Sequence, residues 1–120
     1  MVQSVVLTSV FERQGKAAGL TDDAMQDVVV AVAGDPLGGE LMVGTGGARK
    51  MRHARAGSGK SGGYRTIHYW AGPDVPIFLL SLIDKGQRAN LSKAERNELA
   101  KILPRIAEQY RQSAARKVEP

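Results

Sequence analysis

The run Ile77-Phe-Leu-Leu-Ser-Leu-Ile83 is apolar at every position except Ser81. A short, nearly continuous apolar run of this kind predicts a central strand buried on both faces. Its neighbours supply more of a sheet. Tyr64 to Ala71 is rich in β-branched and aromatic residues and predicts a strand. Gly72-Pro-Asp-Val-Pro76 makes the turn between the two. Arg49 to Arg55 predicts a third strand that alternates basic and less polar positions. Three consecutive strands imply an antiparallel meander. Gln3 to Thr8 reads as a further short strand, and Leu41-Met-Val43 as a brief extended piece.

The remaining periodic segments are helical. Ser9-Val-Phe-Glu12 has the spacing of a capping box, which predicts a short helix ending at Gly19. Thr21 is placed to cap a second helix, with Asp22 and Asp23 in the first turn, where the helix dipole favours anions. Met25, Val28, Val29 and Val32 recur at helical spacing, and Gly34-Asp-Pro36 ends that helix. Ser92-Lys-Ala-Glu95 is another capping box. Leu99, Ile102, Leu103, Ile106 and Tyr110 carry one apolar stripe across Pro104, so the helix is kinked there or is two abutting ones. The expected architecture is α+β: an N-terminal helical hairpin packed on a small antiparallel sheet, with a C-terminal helix. At 120 residues it forms one domain over 1–120, with 116–120 a frayed tail.

Charge is distributed unevenly. Residues 1–40 hold two basic and six acidic side chains, whereas 41–73 hold six basic ones, both histidines and no acid. Nine of the fourteen glycines fall between Gly38 and Gly63. A cationic, glycine-rich middle without internal counter-ions points to an anionic partner, with nucleic acid foremost; a merely solvated loop is the plainer alternative. The absence of cysteine excludes a disulfide framework and a thiol nucleophile, and two histidines are too few for a His-rich metal site. No leader or membrane-spanning stretch is apparent, which leaves a soluble cytoplasmic protein as the expectation. Gly57-Ser-Gly-Lys-Ser61 imitates the end of a phosphate-binding P-loop, yet Ala54 stands where the first glycine belongs and a strand follows in place of a helix.

Gly-Thr-Gly-Gly-Ala-Arg-Lys-Met-Arg-His-Ala-Arg (44–55) and Gly-Lys-Ser-Gly-Gly-Tyr-Arg-Thr-Ile-His-Tyr (59–69) closely resemble the RelE/HigB-like toxins of bacterial toxin–antitoxin systems. The likeness continues through Ile77–Ile83, Asp84-Lys85-Gly86 and Ala89-Asn-Leu-Ser-Lys-Ala-Glu95. It implies a RelE/ParE-like fold and an endoribonuclease that cleaves mRNA on the ribosome without metal or cofactor. It also implies inhibition by a cognate antitoxin, a helix-turn-helix, HigA-like protein. In such chemistry a ribose 2′-hydroxyl attacks the adjacent phosphorus, and fixed cations stabilise the charge that grows on the phosphoryl oxygens. By this resemblance Arg65 addresses the scissile phosphate. Lys50 and Arg52 share the base and charge-stabilising roles, and Lys85 lies at the site's edge. Arg49, Arg55, Lys60 and Arg88 hold the RNA backbone.

Alternation along the 64–71 strand puts Tyr69 on the face of Arg65, where it stacks on a base or packs against a neighbouring strand. It puts His68 on the opposite face, as a structural histidine, while His53 has no partner visible in the sequence. Ile83 replaces an aromatic of many relatives, Gly86 a polar or basic residue, and Leu91 and Ser92 stand near a tyrosine that several use. Two other readings are a ParE-like gyrase inhibitor and a non-catalytic or decayed RNA-binding homologue.

Overall fold

A computed structural model describes residues 3–54, 63–84 and 90–118, with side chains described as far as Ser113. The element order is β1 (Val5–Leu7), α1 (Ser9–Ala17), α2 (Asp22–Gly34), β2 (Glu40–Leu41), β3 (Arg49–His53), β4 (Tyr64–Tyr69), β5 (Ile77–Asp84) and α3 (Lys93–Val118). One five-stranded sheet runs in the order β1-β5-β4-β3-β2. The β3-β4-β5 meander is antiparallel as expected, and β2 extends it in the same sense. β1 joins the other edge parallel to β5, so the sheet is mixed.

β5 is buried from Ile77 through Ile83 because helices cover both of its faces. Ile77, Leu79 and Leu82 pack with Phe11 of α1 and Val28 and Val32 of α2. Phe78, Leu80 and Ile83 pack with Ile67 and with Leu103 of α3. Opposite β4 the register skips Leu80: Ile67 pairs with Ser81, and His68 with Leu79. This bulge shifts the alternation by one residue, which is how both Leu80 and Ile83 reach the α3 face.

Two local expectations need correction. The α1 cap is Thr8, not Ser9: its Oγ1 accepts from the Phe11 N–H at 3.2 Å and donates to the Leu79 carbonyl at 2.8 Å. A hydroxyl already anchored to β5 is the better-placed cap, and Ser9 becomes the first helical residue. Of the two arrangements the apolar stripe allowed for α3, the structure has the single helix, which continues through Pro104. Pro104 lacks the N–H that would bond the Ala100 carbonyl. Beside that turn lies Gly46, with φ +80°, where a Cβ would sit 3.4 Å from Ala100 Cα. His53, lastly, has a partner, Thr66, described below.

The Ser92 box forms as read, with the Ser92 N–H bonded to Glu95 Oε1 at 2.8 Å and the Glu95 N–H to Ser92 Oγ at 3.2 Å. Thr21 caps α2 through the Ala24 N–H.

Candidate active site

β3 and β4 bring the central cations together. Arg52 and Arg65 are direct cross-strand partners, and Lys50 pairs with Ile67 two residues along the same face. Opposed side chains in an antiparallel pair begin about 5 Å apart at Cβ, and like charges so placed repel. Lys50, Arg52 and Arg65 line one cavity of about 360 Å³, together with Gly39 and Glu40. β4 is an interior strand, so Arg65 is not at a sheet edge.

The rim of this cavity is built by the 38–48 segment. Gly39 takes φ +79°, and a Cβ there would collide with the Lys50 carbonyl oxygen. Only glycine allows β2 to approach β3 so closely. Beyond β2 the chain turns back around Thr45, whose buried Oγ1 donates to the Met42 carbonyl at 2.7 Å and accepts from the Ala48 N–H at 3.0 Å. The Met42 N–H bonds the Ala48 carbonyl at 2.9 Å, which closes the loop. This short framework fixes where Glu40 and Lys50 stand: they are cross-strand partners.

The other sequence-derived candidates fall elsewhere. Arg49 alternates away from Lys50, and its Nη1 donates to the Leu37 carbonyl at 3.0 Å. Tyr69 packs against the α3-side core, its ring beside Gly47, and is not among the residues lining the cavity. Arg55, Lys60, Lys85, Gly86 and Arg88, with the P-loop-like stretch, lie outside the described residues. Ile83 is buried in the core. Glu40 and Gly39 were not singled out from the sequence, because their membership depends on the β2–β3 pairing. The Gly38-Gly39 pair before an extended piece was the one available signal.

Behind β3 and β4 sit both histidines. His53 Nε2 is 2.8 Å from Thr66 Oγ1, and its pKa is pushed down to about 4 by burial, helped by His68. His68 is fully buried and its Nε2–H donates to the Pro36 carbonyl at 2.9 Å. Burial is the main cause holding its pKa low. Arg49 adds to that, while the Pro36 bond and Asp35 oppose it. Neither ring faces the cationic cavity, and each serves the α1/α2 side of the sheet. Among the described residues no three His, Cys, Asp or Glu side chains gather in a way that would hold a metal ion, and no helix is long and apolar enough to cross a membrane.

The arrangement, three cations on adjacent strands around a concavity, can grip phosphoryl oxygens and stabilise added negative charge on them. Comparison with known proteins gives the same chain a family. The model described as the RelE toxin of the RelE / RelB toxin-antitoxin system matches residues 3–119, and the protein belongs to this toxin family. Membership implies an antitoxin as partner. Among solved structures, a mutant of E. coli toxin RelE in the free state is 17% identical with a TM-score of 0.49, over 73% of this chain and 88% of that one.

Proposed function

We propose that this toxin is a metal-independent endoribonuclease that cuts mRNA on the ribosome and so stops translation in the cytoplasm. The observation that carries the reading is the shared cavity of Lys50, Arg52 and Arg65. Two arginines set opposite each other across strands can offer their guanidiniums to one phosphate. Arg65 grips the non-bridging oxygens of the scissile phosphate, for which a planar guanidinium is suited. The 2′-oxygen attacks phosphorus as its proton passes to a base. The P–O5′ bond breaks, a proton reaches the leaving 5′-oxygen, and a 2′,3′-cyclic phosphate remains. Lys50 and Arg52 share the roles of base and of stabilising the charge that develops on the phosphate. Lys85 completes the edge of the site, and Arg55, Lys60 and Arg88 hold the flanking RNA. The cognate antitoxin is a helix-turn-helix, HigA-like protein encoded in the neighbouring reading frame.

Expression of the chain in bacteria tests this directly. Growth and translation should stop, transcripts should acquire cyclic-phosphate ends, and Arg65→Ala should abolish both effects in a protein that still melts cooperatively. Continued toxicity of Arg65→Ala, or intact mRNA together with a DNA-damage response, would overturn the proposal; the second outcome would favour a gyrase poison.

A further inference from the structure

We infer that Glu40 is a built-in counter-ion that occupies the cationic cavity in place of RNA phosphate and so excludes loosely diffusing RNA. The inference rests on the nuclease reading of the site and goes beyond it, to how that site selects its substrate.

Three observations converge on this residue. Among the described residues Glu40 is the one carboxylate lining the cavity, beside Gly39, Lys50, Arg52 and Arg65. Its position is fixed by the backbone: it pairs in register with Lys50, and Gly39, in a conformation that favours glycine, lets the two strands approach. The carboxylate is also free to move, because the Glu40 side chain is exposed. An apposed but unlocked carboxylate can move aside when a stronger anion arrives.

Electrostatics gives the consequence. A carboxylate near the phosphate position repels the incoming anion and screens one of the three cations. That penalty is spread over every RNA that reaches the site. A strand held there by a larger assembly has a high effective concentration and displaces the carboxylate; a free strand at cytoplasmic concentration does not. The uniform penalty lowers occupancy by free RNA below saturation and leaves presented RNA, at its higher effective concentration, bound.

The test uses the full-length protein and a short single-stranded RNA carrying 2′-O-methyl groups, which cannot be cleaved. At low salt, Glu40→Gln should bind this RNA about 3- to 10-fold more tightly than the wild type. Glu40→Asp, which keeps the charge, should stay within about twofold. The gain of Glu40→Gln should shrink as ionic strength rises and the screening length falls from about 30 Å at 0.01 M to about 3 Å at 1 M. Unchanged or weaker binding by Glu40→Gln overturns the inference, as does equal tightening by both variants, which would make the effect steric. Unchanged binding with lost cleavage of ordinary RNA also overturns it, by placing the carboxylate in the reaction. Arg65→Ala separates the two levels. If Arg65→Ala binds as the wild type does, the nuclease site itself is wrong and the inference falls with it. If Arg65→Ala weakens binding while Glu40→Gln changes nothing, only the counter-ion role fails.

Discussion

Gly39 shows how much a single residue can determine. Its φ of +79° and the Lys50 carbonyl beneath it leave no room for a side chain. Gly39→Ala should therefore destabilise the protein by about 2 kcal/mol or more, through left-handed strain and a backbone collision together. A lowered urea midpoint with unchanged slope is the check. His53 makes a different prediction. Unfolded, its ring takes up a proton near pH 6.5; folded, only near 4. Between those values the unfolded state binds more protons, so stability falls as pH drops from about 6.5 to about 4 and then levels. Allowing for partial exposure, the loss is about 2 kcal/mol. His68 contributes with the same sign. Urea melts at pH 7 and 4.5 should show the loss, and His53→Gln should reduce it. At this scale the sequence was informative wherever strand alternation decided the matter: Arg65 apart from His68, Lys50 with Arg52. It was silent on Glu40 and on the Thr66 partner of His53, because both depend on which strand lies opposite.

Among the elements, β5 carries the most weight and has the least backbone support on one side. β1 has three residues and pairs only as far as Leu79. Beyond that point α1 takes over: Gln14 Oε1 accepts from the Leu82 N–H at 2.7 Å and from Ser81 Oγ at 3.0 Å. Gln14→Leu would leave a strand N–H without its acceptor and should cost about 1–3 kcal/mol in a denaturation experiment. At the start of α3, Ser92→Ala should cost about 1 kcal/mol, since it removes one half of a reciprocal cap. The Ser92 box and the Thr21 cap were readable because they are local, closed within four residues. The α1 cap was not, since Ser9 and Thr8 are equivalent hydroxyls until the Leu79 carbonyl, far along the chain, selects Thr8. The bulge at Leu80 was likewise invisible: an unbroken apolar run has no alternation in which a skipped residue would show.

At the scale of the whole molecule, the α+β layering followed from the apolar run and the two helical stripes, but the sense of β1 did not. A parallel pairing between Val5 and Ile77 joins segments far apart in the chain, and nothing in either segment encodes its direction. It makes the first residues structural. Deleting residues 1–8 should expose the edge of β5 and the Thr8 anchor together, giving a chain that aggregates instead of melting cooperatively by circular dichroism. The opposed pair of Arg52 and Arg65 has an effect of the same reach. Two opposed guanidiniums serve an anion better than they serve the sheet, so a substitution such as Arg52→Thr should weaken the hold on phosphate without costing the fold. Disarming is therefore open to this chain at little structural cost, and a copy that had lost its poison could persist as a folded protein.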